Sequence, residues 1–373
     1  MNSFYYFPGG VALGDAFINR EAERRYLSNR IKASQHTVLI APRRYGKTSL
    51  AMKVANEMHI PYCAMDLLTM YSEDRVRDHI VSKISRLVFQ LLPRMTKAKE
   101  TLLQIFKNMK PEVVLTAFGQ KLSLTLSKDP LQDVTDVLLQ LDETAKTFKK
   151  KAVVFIDEFQ QLNQLKHSHA IEAAIRHAVE RSQHIAYVFS GSNRHLLQHM
   201  FGDHSRPFYR LCQTLTLDRI HEETYVTHLQ QLAHLKWHQH TFPALERILI
   251  LTERHPFYTN ALCQLLWQES IMPLSEKIDD IWHAYVITQK PTISHDIVTL
   301  SPNQRKVLIA LAESPTQKIQ SIEFTMPIKI STSSAEQALN VLIQKDLVYQ
   351  REDGCYTLLD PVMKYYLNVI SQE

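Results

Sequence analysis

Four cysteines, Cys63, Cys212, Cys263 and Cys355, are spread over 373 residues, with none of the spacings of a disulfide framework or a thiolate-ligated metal. They read as buried thiols in a reducing compartment. Eight glycines, fifteen prolines and no low-complexity tract exclude a collagen-like or disordered chain, and 45% hydrophobic residues suffice for ordered cores. Nowhere do about 18 apolar residues run uninterrupted, so no membrane-spanning helix is expected. The first eight residues lack a basic stretch followed by an apolar one, and the expectation is a cytoplasmic protein without a membrane partner. Histidine is plentiful, at 18, but the pairs His167/His169 and His238/His240 have no third ligand near them and read as solvated surface.

The length suits two or three domains. The net charge of +5 is unevenly placed: residues 1–130 hold 20 Lys or Arg against 11 Asp or Glu, residues 131–299 hold 16 against 19, and residues 300–373 hold 7 against 8. The basic excess is N-terminal. A basic face is the electrostatic footprint of nucleic-acid binding, so any such contact belongs there.

Thr37-Val38-Leu39-Ile40 is a short apolar run of the kind that forms a buried parallel strand. Residues 48–58 follow with apolar residues at helical spacing. Further strands are expected at Ile60–Asp66, Ala152–Asp157, Ile185–Ser190 and Gln213–Leu217, separated by mainly helical sequence. Strands alternating with helices imply an α/β fold with a parallel sheet covered on both faces. Residues 67–151 read as a helical insertion, with periodicity at 76–92 and 131–148. Helical sequence at 222–235 and 243–288 suggests a lid domain over 221–299, after a core at 1–220. Residues 301–313, 318–325 and 333–345 read as three helices and 347–358 as a hairpin with a turn at Asp353-Gly354, together a winged helix-turn-helix over 300–373.

Ala41-Pro42-Arg43-Arg44-Tyr45-Gly46-Lys47-Thr48 matches the P-loop pattern GxxxxGK[ST] except at Ala41. In such a loop Gly46 admits close backbone approach, and the amides and dipole of the following helix face the phosphates. Lys47 reaches the β and γ phosphates and Thr48 binds Mg²⁺ through its hydroxyl. The strand Ala152–Asp157 ends in Asp157-Glu158, and two carboxylates at one strand end need a cation or solvent to stay charged. Asp157 suits a Mg²⁺ water shell and Glu158 a water-polarising base. Asp66, ending another strand, reads as a switch contact or, preferably, a helix cap.

These segments resemble the prokaryotic, archaeal-type P-loop ATPase domains of the AAA+/STAND group over most of residues 14–362. Phe17-Ile18-Asn19-Arg20-Glu21-Ala22-Glu23 is similar to that family's segment on the adenine side. Arg43-Arg44-Tyr45-Gly46-Lys47-Thr48-Ser49 resembles its phosphate loop, in which small residues replace the first Gly. The resemblance implies nucleotide contacts from Phe17, Arg20, Pro42, Arg43, Arg44, Tyr45, Gly46, Lys47, Thr48, Ser49 and Pro256, with ATP/ADP and Mg²⁺ as cofactors. Ser190-Gly191-Ser192-Asn193 resembles its sensor segment, where Asn193 would touch the γ-phosphate or catalytic water, although a helix cap serves equally. Arg210, in Pro207-Phe208-Tyr209-Arg210, resembles an arginine finger, with an exposed or ion-paired arginine as the alternative. His255-Pro256-Phe257 resembles a Gly-x-Pro segment whose Gly is Arg254 here, or simply a helix opened by Pro256.

The winged unit carries the wrong charge for DNA, with Glu336 on the helix that would enter the groove, Lys345 its lone cation and Glu352-Asp353 at the hairpin tip. Its expected role is structural or regulatory. The resulting expectation is an ATP-hydrolysing conformational switch with a protein client or self-association as partner. The alternatives are a nucleotide-bound scaffold with negligible hydrolysis and a DNA-associated ATPase.

Overall fold

The computed structural model describes residues 6–18, 20–92, 130–238, 242–351 and 353–370. The chain forms two compact units. One comprises residues 20–43 and 47–217; the other comprises the N-terminal segment to residue 18, residues 44–46 and residues 218 onward.

The first unit is built on five parallel strands, β1 (Thr37–Ile40), β2 (Tyr62–Asp66), β3 (Ala152–Asp157), β4 (Ile185–Gly191) and β5 (Gln213–Thr216), in the order β2-β3-β4-β1-β5. Each sequence-expected strand is present, with ends moved by no more than two residues. β1 and β4 are buried along their whole length, as an interior strand covered on both faces requires. β5 departs from that expectation: Gln213, Thr214 and Thr216 are exposed, because β5 is an edge strand.

Helices α1 (Glu21–Lys32), α2 (Lys47–Glu57), α3 (Glu73–Leu91), α4 (Pro130–Thr147), α5 (Ser168–Arg181) and α6 (Arg194–Gly202) cover the sheet. Ser72 caps α3, its hydroxyl accepting from Arg75 N, with Glu73 and Asp74 favourably placed in the first turn. Asp66 instead accepts from Leu68 N at 2.8 Å, so it caps a turn and not a helix. α3 and α4 bury Val76, Ile80, Ile84, Leu87, Val137 and Leu141 in the same core as the inner strands. The sequence reading of residues 67–151 as an insertion falls partly on 93–129, outside the described residues. Phe159, Phe189, Phe201 and Phe208 form an aromatic cluster with centroids 4.7 to 5.7 Å apart.

In the second unit, α7 (Glu222–Trp237), α8 (Phe242–Thr252), α9 (Pro256–Leu266) and α10 (Ser275–Val298) precede α11 (Pro302–Glu313), α12 (Ile322–Thr325) and α13 (Thr332–Gln344). The antiparallel pair β6 (Val348–Gln350) and β7 (Tyr356–Leu358) and then α14 (Pro361–Tyr365) complete it. This is the expected winged helix, with α12 shorter than its periodicity suggested. In the hairpin turn Gly354 takes a positive φ, 82°, and Gly354 N closes the turn onto Arg351 O. A single bridge from Thr316 to Tyr356 adds a third strand position. Ser301 and Gln304 form a reciprocal capping box at α11. One hydrophobic core runs from Trp237, Trp267 and Trp282 into Leu308, Leu342 and Val348. Among the described residues no helix is long and apolar enough to cross a membrane.

Phe189, fully buried at the centre of the aromatic cluster, carries a direct test of the first unit's core. Phe189→Ala is expected to cost about 3 to 5 kcal/mol through lost burial and an unfilled cavity, read by urea denaturation.

Candidate nucleotide site

The strand order sets the first unit's site. β1 lies beside β4, which lies beside β3, with Ile40 opposite Gly191 and Ile156 opposite Phe189. The loop after β1 and the acids after β3 therefore emerge at the same sheet edge, where ligands of open α/β sheets bind. Within the loop the left-handed positions are Arg44 (φ 66°) and Gly46 (φ 85°), while Ala41 is not one of them. The methyl group of Ala41 thus costs no backbone strain, and this explains why the departure from glycine is tolerated.

Lys47 and Thr48 open α2. The Lys47 ammonium donates to Ala41 O and Pro42 O, at 3.0 Å each, so its charge is held at the loop's mouth. Thr48 Oγ1 donates to Asp157 Oδ2 at 2.6 Å, across 109 residues of sequence. Ser190 Oγ and Glu158 N both donate to Asp157 Oδ1. Hydroxyl and carboxylate oxygens are the hard donors that Mg²⁺ selects, and a magnesium bound through two protein groups and substrate phosphates matches this set.

Glu158 stands in the left-handed region, φ 52°. Its Oε2 accepts from Ser192 Oγ at 2.9 Å, from Ser192 N and from the Gln160 amide. The Gln160 side chain is buried and lies over Gly191, where an added Cβ would sit 1.8 Å from Gln160 Oε1. Glycine here is a packing requirement. Gln160 lies two residues past the acidic pair, yet nothing in the linear order marks it for a function; its part depends on β4 passing beside it.

Asn193 is the N-cap of α6, its side-chain oxygen accepting from Leu196 N at 3.0 Å. Arg210 is exposed, with φ 56° and its guanidinium 5.1 Å from the Tyr209 ring, and no carboxylate pairs with it among the described residues. Arg206, four residues earlier, points inward onto Glu172, and both are buried. That pair escaped the sequence reading, since nothing in the spacing of 172 and 206 marks it. Arg20 is buried and left-handed, and pairs with Glu23 at 3.0 Å. Arg43 is exposed, while Pro42 and Ser49 are buried.

The remaining sequence-selected residues fall in the second unit. Arg44 lies 4.1 Å over the Phe257 ring and Tyr45 packs edge-on against His255. Pro256 opens α9, and His255 Nδ1 accepts from Phe257 N as its N-cap. Arg254, which stands where the resembled family has Gly, takes φ 60°, the conformation glycine would supply. Phe17 is half-buried beyond a 3-10 turn at Gly14–Ala16. Glu253 receives both Arg219 and Lys364, the latter at 2.6 Å, and Tyr258 Oη donates to Asp360 Oδ2 at 2.5 Å. These bonds tie the winged segment to the start of α9.

Together the loop, the acidic strand end and the sheet order define a P-loop ATPase fold followed by a helical region and a winged helix domain. Residues 37–198 match the model of the ATPase family associated with various cellular activities (AAA), and residues 294–369 match a probable winged helix domain. The chain is similar in structure to a Walker-type ATPase of Pyrococcus abyssi, at 17% identity and a TM-score of 0.70, over 98% of this chain and 100% of that one. It is also similar to the ORC2 protein of Aeropyrum pernix in its ADPNP–ADP complexes, at 12% identity and a TM-score of 0.55, over 99% and 96%. At these identities the likeness concerns the fold. No curated protein sequence matches the chain.

Burial holds His255 down to about 3 and His36 down to about 4, with Arg219 and Arg30 adding repulsion. Each folded value lies below the unfolded one of about 6.5, so the unfolded chain binds more protons and acid favours it. Stability is expected to fall as pH drops from about 6.5 toward 4, by about 2 kcal/mol per histidine at pH 5, in denaturation curves at pH 7 and pH 5. His255→Asn, which keeps an N-cap acceptor, should flatten that dependence.

Proposed function

We propose that the chain binds ATP with Mg²⁺ and hydrolyses it slowly, as an AAA+/STAND-type conformational switch. The observation that carries this reading is the meeting of Thr48 and Ser190 on the Asp157 carboxylate, beside a loop whose lysine is already held at its mouth. Lys47 exchanges its loop carbonyls for β and γ phosphate oxygens, a charge-assisted pairing that is the stronger of the two. Thr48 and Asp157 hold the magnesium, which neutralises phosphate charge when bound. Glu158 orients and polarises the water that attacks the γ-phosphorus, with ADP as the leaving group. Asn193 and Arg210 supply the further contacts to γ-phosphate. Phe17, Arg20, Arg43, Arg44, Tyr45, Ser49 and Pro256 complete the phosphate and adenine contacts. The ADPNP–ADP complexes of the Aeropyrum pernix ORC2 protein support the choice of adenine nucleotide.

Slow turnover is favoured by the three donors on Glu158 Oε2, since a carboxylate so occupied must reorient before it can face a water. The same observation favours a second reading, in which hydrolysis is negligible and bound nucleotide acts as a structural signal. The domains proposed are a core at 1–220, a lid at 221–299 and a winged helix at 300–373. The Tyr258–Asp360 and Glu253–Lys364 bonds make the winged segment a regulator acting through α9, with a protein client or self-association in the cytoplasm in preference to DNA. Exposed Glu336 and Asp353 weaken any phosphate contact from that segment.

Lys47→Ala is expected to abolish binding of a fluorescent ATP analogue, and Glu158→Gln to retain binding while phosphate release falls about 100-fold or more. Wild-type release by Glu158→Gln refutes the assignment of Glu158. Tight nucleotide binding without measurable release by the wild-type chain selects the second reading.

A further inference from the structure

Several polar contacts of the second unit converge on Arg219. β5 runs beside β1, and Leu217 N donates to Ile40 O at 3.0 Å, so the chain leaves the sheet next to the strand that enters the phosphate loop. Two residues on, the Arg219 side chain is only 12% exposed and its guanidinium meets groups from distant parts of the chain. Nη1 donates to Glu253 O at 2.7 Å and to the Glu253 carboxylate, and Nη2 donates to Leu359 O at 3.0 Å. The Tyr349 ring lies 5.6 Å from the guanidinium. The same guanidinium is hydrogen-bonded to the side chain of Tyr45.

Tyr45 stands in the middle of the phosphate loop, yet it is 3% exposed and packs edge-on against His255, with ring centroids 4.8 Å apart. With Arg44 and Gly46 it belongs to the second unit, whereas Ala41, Pro42 and Lys47 belong to the first. The residues on either side of it, Arg44 and Gly46, are both left-handed, at φ 66° and 85°. Such a conformation at Arg44 persists only where its surroundings enforce it, and Gly46 has many other conformations open to it. Fixing the Tyr45 side chain fixes the backbone between these two residues, and Lys47 is the second residue beyond. A loop already held in its reversed shape does not have to be ordered when phosphate arrives. A guanidinium held by two carbonyls and a carboxylate is a rigid point from which to hold it.

We propose that Arg219 is a positioning residue for nucleotide binding: through the Tyr45 hydroxyl it fixes the phosphate loop in the shape that receives the phosphates. This rests on the nucleotide reading above. Arg219 touches no nucleotide and acts through Tyr45, which offers its backbone to the phosphates and its hydroxyl to Arg219. The effect falls on affinity, because the loop's shape is what Arg219 sets, and the carboxylates of the hydrolytic step stay in place.

The test compares full-length variants by titration with a fluorescent ATP analogue and by phosphate release over a range of ATP concentrations. Tyr45→Phe keeps the ring against His255 and removes the hydroxyl; Arg219→Met keeps much of the side chain's length and removes the guanidinium. Each should weaken analogue binding about 10-fold, the scale of one hydrogen bond to a charged group. For Arg219→Met the ATP concentration giving half-maximal release should rise by the same factor, with release at saturating ATP unchanged. The double variant should bind no more weakly than the weaker single one, because both remove the same bond. Lys364→Met breaks the other ion pair on Glu253 and leaves Arg219 and Tyr45 joined; it should lower the melting temperature yet keep analogue affinity within about 2-fold of the wild type. Should Arg219→Met fail to fold, Arg219→Lys takes its place, since one ammonium cannot serve Glu253, Leu359 and Tyr45 together. Wild-type affinity in Tyr45→Phe or in the folded Arg219 variant overturns the proposal. So do additive losses in the double variant, an equal loss in Lys364→Met, or a fall in saturated release with affinity kept. A wild-type chain that binds no analogue overturns the nucleotide reading, and this proposal with it; a wild type that binds, with any of the former outcomes, overturns the proposal alone.

Discussion

The bond between the Thr48 hydroxyl and the Asp157 carboxylate is the constraint on which the site depends. It joins the first turn of α2 to the end of β3, and those two points share an edge because β4 separates β1 from β3 in a wholly parallel sheet. Ser190 completes the arrangement from β4 itself. Two hydroxyls, one from the first turn of α2 and one from β4, thus meet a single carboxylate at the end of β3. The lateral spacing of neighbouring strands, about 4.7 to 4.9 Å, makes such convergence possible without long side chains.

Around this point the fold accepts local costs. Glu158, Arg44 and Arg210 all occupy left-handed backbone without being glycine, and Gln160 is buried with one amide oxygen lacking a partner. Residues in such conformations persist where their surroundings over-determine them. For Glu158 those surroundings are Ser192, Gln160 and the bare backbone of Gly191; for Arg210 they are Phe208 and the Arg206–Glu172 pair. In the second unit Glu253 and Arg254 are likewise left-handed, held where Arg219 and Lys364 converge on Glu253.

Much of this was legible in the linear order of residues. Continuous apolar runs marked β1, β3 and β4, because strands buried on both faces cannot alternate. The weakly apolar Gln213–Thr216 was still recognisable as a strand from its β-branched residues, but not as an exposed edge, since strand order is not written in any one strand. The hairpin, read at 347–358, followed from its Asp-Gly pair. Helix caps were less legible: Asp66 looked like one, while Ser72, six residues on, is the true cap of α3.

What the sequence by itself determined is the local chemistry. The Gly-Lys-Thr run, the apolar strand ending in two acids and the charge of the winged segment all depend on neighbours within a few residues, where spacing and side-chain type are sufficient. Only the tertiary structure decided which groups answer one another across the fold: that Thr48 and Ser190 meet on Asp157, that Gln160 and Ser192 hold Glu158, that Ala41 needs no left-handed backbone, and that Arg206 turns inward while Arg210 turns out. The reason is physical. Hydrogen bonds and buried ion pairs act over about 3 Å in space, and Thr48 and Asp157, joined by one of them, lie 109 positions apart in the chain.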